Sequence, residues 1–346
     1  MPSVVKPRTA ARIARGAPRL LAALLIGTLA VVATTPFAFA SDPPLEEVLV
    51  TGQQPGPGLW KVTRADDPAG HALWILGSHS PLPKKMQWRS SELESVLATS
   101  QELIAPASVD ADVGVLDGIA LLPSLVGVRN NPDGRRLQEV VPAELYQRWQ
   151  PLKARYLGDS KDVEKWRPIF AAQELYQAAL KDHGLVPYEG VWPAVEKLAR
   201  KQRVRVVEPE VQLKFPKARA AVKDFKSMPL DDIDCFARTL QRLENDLELM
   251  RERANAWAVG DVPRLQRLAP VERASACIGV ILDSSLVRER GLTDVPERVR
   301  AAWLQAAEKA LASNASTVAV VSVDELLRPD GYLARLRQRG FTVEDP

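Results

Sequence analysis

Histidine and cysteine are scarce in this chain of 346 residues: it has three histidines, His71, His79 and His183, and two cysteines, Cys235 and Cys277. No Cys-x-x-Cys pair and no His-Glu-x-x-His sequence is present, which removes the commonest dithiol and zinc-peptidase patterns. A Gly-x-Ser-x-Gly elbow and a phosphate-cradling glycine loop are missing too, so neither an α/β-hydrolase nucleophile nor a nucleotide loop is written in its usual form. Excess charge of one sign is also lacking. The chain carries 46 basic and 43 acidic residues, and five of the basic ones, Lys6, Arg8, Arg12, Arg15 and Arg19, lie within the first twenty positions. Without them the balance is 41 to 43. A nucleic-acid partner or an anionic membrane surface would call for clustered Lys and Arg, so neither is expected.

What is present begins with an address. Residues 1–40 read as a signal peptide: the five basic residues precede an apolar run from Leu20 to Ala33, and Ala38-Phe39-Ala40 offers small residues where signal peptidase reads. The apolar run is shorter than the roughly 20 residues a membrane span needs, so membrane contact is expected only through this leader if it stays uncleaved. The protein is expected to be exported, and periplasmic if its host is bacterial. Export changes the reading of Cys235 and Cys277. In an oxidising compartment the expectation is a disulfide, worth about 4 kcal/mol in the chain-entropy model; two buried thiols on separate helices are the alternative.

Residues 41–58, rich in Pro, Gly and Gln, read as a flexible linker. From 59 to 346 the pattern is α/β. Leu59–Val62 and His71–Leu76 read as a hairpin around Asp66-Asp67-Pro68-Ala69-Gly70. Arg89–Thr99 has helical periodicity and Glu102–Ala105 is a short strand, the grammar of a parallel crossover. From about 109 to 260 the chain reads as a large helical middle, with a brief strand at Val204–Glu208. Its best-defined element is a helix from Pro229 to Val259, where Ile233, Phe236, Leu240, Leu243, Leu247, Met250, Ala254 and Trp257 keep an unbroken three-four spacing. That stripe reads as packing inside an intramolecular bundle, with a coiled-coil seam to a partner as the alternative. Glu297–Ala312 reads as a helix, the β-branched Thr317–Val321 as a buried strand, Gly331–Arg339 as a helix and Phe341–Val343 as a terminal strand. The expected fold is α/β, a mixed sheet built from the N- and C-terminal segments with the helical middle laid over it.

The stretch Leu73-Trp74-Ile75-Leu76-Gly77-Ser78-His79-Ser80 delivers small polar groups and a histidine from a buried strand, and the carboxyl edge of a sheet is where α/β proteins place their sites. Preceded by Leu59-Trp60-Lys61-Val62, and followed near the end of the chain by Pro329-Asp330-Gly331-Tyr332-Leu333 and Gly340-Phe341-Thr342-Val343, it resembles the TraB/PrgY/GumN family. The likeness covers most of the chain after the leader. It implies a Tiki-like α/β fold and, in catalytically competent relatives, metal-dependent peptidase activity built on two Gly-x-x-His motifs, acidic residues and an arginine. Gly77-Ser78-His79-Ser80 takes the place of the first motif, with Ser80 where the ligand histidine is expected and His79 one position early. The second motif falls on Ser322-Val323-Asp324-Glu325, without its glycine or histidine. Glu208 matches a family glutamate at a strand end, and the acidic residue expected near Pro106 is absent. Arg290 matches the family arginine, although Gly291 replaces its usual asparagine neighbour.

These departures carry physical weight. A hydroxyl neither compensates the charge of a divalent ion nor binds it as imidazole does, and a histidine shifted by one residue on an extended strand points to the other face. No catalytic residue, metal or cofactor is therefore expected. Gly77, Ser78, His79, Ser80, Glu208, Arg290, Asp324 and Glu325 outline a remnant cleft, and the expected role is binding a protein or peptide through that cleft or the long helix. The alternative is a divergent metal-dependent peptidase whose manganese, cobalt or zinc site is rebuilt on His79, Glu208 and Glu325, with Asp324 beside them.

Overall fold

The computed structural model describes residues 55–112, 121–186, 191–214, 217–268, 275–282 and 284–346. The signal peptide read over 1–40, and all but the last four residues of the linker, lie outside the described residues. In chain order the strands are β1 (Leu59–Arg64), β2 (Ala72–Ser78), β3 (Leu82–Pro83), β4 (Glu102–Ile104), β5 (Ser108–Asp112), β6 (Leu185–Val186), β7 (Arg205–Val207), β8 (Glu210–Lys214), β9 (Ser316–Ser322) and β10 (Phe341–Glu344). Six of them form one mixed sheet in the order β10-β1-β2-β9-β4-β7. The hairpin is present: β1 pairs antiparallel with β2 on one side and with β10 on the other. The crossover from β2 through the helix Ser91–Thr99 to β4 does not place those strands side by side, because β9 from the far end of the chain lies between them, parallel to both.

The position of β9 follows from its composition. Thr317, Val318, Ala319, Val320 and Val321 are all buried, which a β-branched run tolerates and an edge strand could not. Leu73, Ile75 and Leu76 of β2 are equally buried, and each large side chain so covered contributes roughly 1.5–3 kcal/mol. The helices Val295–Ser313 and Tyr332–Gln338 add Trp303, Leu304 and Leu336 to the same core. A second apolar core lies wholly among helices and gathers Leu137, Trp149, Leu175, Phe236 and Leu240.

The helix expected over Pro229–Val259 is two helices, Ile233–Asn245 and Leu247–Ala258, with Asp246 between them outside helical geometry (φ −109°, ψ 3°). Asn245 and Asp246 are poor helix formers, and the two halves serve different cores. Phe236, Leu240 and Leu243 fill the helical core, whereas Ala254 and Trp257 belong to the core beneath the sheet. The apolar stripe is thus consumed inside the chain, as the bundle reading expects. Cys235 on the first half forms a disulfide with Cys277 on the helix Ser275–Leu282. Further strands are absent from the sequence reading: β5 and β8 make a parallel pair, and β3, which follows β2, makes an antiparallel one with β6 of the helical middle. Val109 of β5 is 42% exposed, so this strand lacks the buried alternation that marks strands in sequence.

Candidate functional site

Parallel pairing of β2 with β9 decides which residues meet. Their register sets Gly77 opposite Val321 and Ser78 opposite Ser322, so His79-Ser80 and Val323-Asp324-Glu325 leave the same edge of the sheet from adjacent strands. The two stretches read as degenerate motifs are therefore neighbours in space. Glu208 follows β7 at this edge and is exposed, but it is separated from β2 by β9 and β4, about 14 Å at ordinary strand spacing. Arg290 does not join them through a strand end. It follows the helix Ser285–Glu289 and donates to the Asp224 carboxylate of the helix Ala218–Ser227 at 3.0 Å.

The helix Leu247–Ala258 lies across this edge and locks it. Trp257 donates its indole N–H to the Gly77 carbonyl at 2.6 Å. A β-carbon on Gly77 would meet Val323 at 3.0 Å and the Trp60 ring at 3.1 Å, so a larger residue here would need its neighbours to give by a few tenths of an ångström. One turn earlier on the same helix face, Arg253 is 2% exposed and donates to Asp324 Oδ1 at 2.5 Å and to the Leu265 and Leu268 carbonyls at 3.0 and 2.5 Å. The guanidinium thus places a buried positive charge against the acidic residue of the second motif. Glu325 turns to Arg300 and Arg328, at 3.3 and 3.4 Å. Ser78 donates to the Val321 carbonyl at 3.3 Å, and His79 is 2% exposed.

These residues do not fit the divalent metal that a competent family member would hold. Asp324 and Glu325 already neutralise arginines, and the Arg253 charge opposes a second cation in the same place. Among the described residues, no group of three or more His, Cys, Asp or Glu side chains is placed to hold a metal ion. Arg253 is the residue at this edge that sequence reasoning missed. Its signal was legible, because it falls three residues after Met250 and four before Trp257, a charge set on an apolar stripe, and such a charge needs a partner.

The other two histidines are half-buried. His71 stands 3.1 Å from Asp67, and the His183 ring is 3.1 Å from the Tyr156 hydroxyl. A cleft of about 230 Å³ in the helical region is lined by Arg167, Asp232, Asn131, Pro229 and neighbours. Arg167 there donates to the Phe225, Lys226 and Met228 carbonyls, satisfying the end of the helix Ala218–Ser227. The Asp232 carboxylate accepts from the Ile169 backbone N–H at 2.9 Å, within the first turn of the helix Pro168–Asp182. Burial raises the Asp232 carboxyl above the usual carboxylate range, and the Ile169 hydrogen bond and the Arg167 charge only partly offset it.

A model of the TraB/PrgY/gumN family matches residues 58–345. That span is nearly the whole of the chain beyond the leader and linker, and the chain belongs to this family. No curated protein and no solved structure matches the chain.

Proposed function

We propose that this chain is an exported, non-catalytic member of the TraB/PrgY/gumN family, periplasmic in a bacterial host, which acts by binding a protein or peptide partner. One observation carries the reading. Arg253 is buried against Asp324 at the edge where the two family motifs meet, so a fixed guanidinium stands in the neighbourhood that a metal-dependent relative would reserve for a divalent ion. Ser80 in place of the ligand histidine and the arginine partners of Glu325 support the same reading. The leader pattern over 1–40 and the paired cysteines accord with an oxidising destination. Among the described residues no helix is long and apolar enough to cross a membrane.

Metal analysis of the purified protein after dialysis tests the reading. It should carry far less than one equivalent of manganese, cobalt or zinc. Stoichiometric metal that disappears in Glu208→Ala or Glu325→Ala would overturn it in favour of a rebuilt hydrolase site.

A further inference from the structure

An open groove of about 630 Å³ runs between the segment Met86–Ser90 and the helix Val191–Gln202. Its floor is apolar: Met86, Trp88 and Leu198 pack against the main core yet keep part of their surface outside it, and Ala194 extends the floor along the helix. Lys197 and Lys201, exposed and one turn apart, form the rim, and among the described residues no acidic side chain lines the groove. Among the described residues neither lysine is in an ion pair, whereas Arg200 between them is held by Glu196 at 2.6 Å. Trp88 is also the link to the sheet edge. Its ring packs edge-on against Trp257 at 5.6 Å, and Trp257 holds the Gly77 carbonyl.

We propose that this groove binds an acidic peptide segment of a partner protein, with an aliphatic or aromatic side chain on the floor between Trp88 and Leu198 and carboxylates on Lys197 and Lys201. The volume falls in the range of pockets that take an organic ligand and exceeds what a single small anion would fill. Lysines at i and i+4 stand about 6 Å apart at their β-carbons, a spacing that two acidic side chains of one peptide can match. An apolar floor with a rim of one charge sign selects a partner with apolar anchors and the opposite sign. The proposal deepens the binding role above by naming a surface and a partner chemistry, and it places that surface one ring away from the relict motif.

The test is fluorescence anisotropy on the full chain with a labelled nonapeptide of alternating Glu and Leu, beside a matched peptide of alternating Lys and Leu. Saturable binding of the Glu/Leu peptide is expected, weakening about tenfold in the Lys197→Glu/Lys201→Glu variant and also weakening with added salt. The same variant should gain affinity for the Lys/Leu peptide. Both substitutions are on exposed side chains, and circular dichroism checks that the fold is kept. Equal binding of the Glu/Leu peptide by both proteins, or none by either, would overturn the proposal. So would a wild-type dimer in sedimentation that dissociates in the variant, because a second copy would then be the occupant. Bound metal or peptide hydrolysis in the wild type would sink the non-catalytic reading and leave the groove result standing, so the two failures are distinguishable.

Discussion

Arg253 and Asp324 form a pair in which one member is fully buried and the other about one-fifth exposed, and this asymmetry sets what each substitution does. Arg253→Ala removes a buried donor from Asp324 Oδ1 and from the Leu265 and Leu268 carbonyls, so a loss of about 3–5 kcal/mol is expected in urea denaturation. Arg253→Met with Asp324→Asn removes both charges and should cost clearly less, because a pair deleted together leaves no stranded ion. Gly77→Ala tests the close packing from the other side. The added methyl would press on Val323 and Trp60, and overpacking of this kind costs about 1–3 kcal/mol. Asp232 has a pH signature. Its folded carboxyl is raised by burial, so the folded chain holds that proton more tightly than the unfolded chain. Its contribution to stability therefore falls as pH climbs from the unfolded value through the folded one. Asp232→Asn, which can still accept from Ile169, should flatten that part of the stability profile above about pH 4.

At the scale of elements, legibility tracked burial. The β-branched run of β9 and the apolar β2 declare themselves because a strand covered on both faces must be apolar throughout, and the terminal helices were read within one or two residues of their observed ends. The break at Asp246 was not read, since the three-four spacing continues across it and periodicity alone cannot register a change of core. Nor were β5 and β8: β8 alternates, with Val211 and Leu213 buried, but it is only five residues long inside a helical stretch, and its pairing with the more exposed β5 joins segments about a hundred residues apart. The site was legible as a location and illegible as a contact. Both stretches read as degenerate motifs lie at the ends of adjacent strands, but the arginine that meets Asp324 comes from a helix elsewhere in the chain, a distance no local pattern spans. The disulfide ties that helical region together across 42 residues. Cys235→Ser with Cys277→Ser should lower stability by about 2–4 kcal/mol in non-reducing denaturation.

At the scale of the molecule, the two ends of the chain make one sheet and the middle supplies its lock. β1 and β2 from the start and β9 and β10 from the end form four consecutive strands, so the edge where Ser78 and Ser322 lie side by side exists only once both ends have met. The helix Leu247–Ala258, from the middle, then closes that edge with Trp257 and Arg253. In the proposed non-catalytic protein the fixed Arg253 guanidinium beside Asp324 opposes a divalent ion at the same place. Titration of the purified protein with cobalt(II), followed by visible absorption, tests it most directly. No saturable ligand-field band is expected at one equivalent. A one-equivalent band that is lost in Glu208→Ala or Glu325→Ala would contradict that expectation.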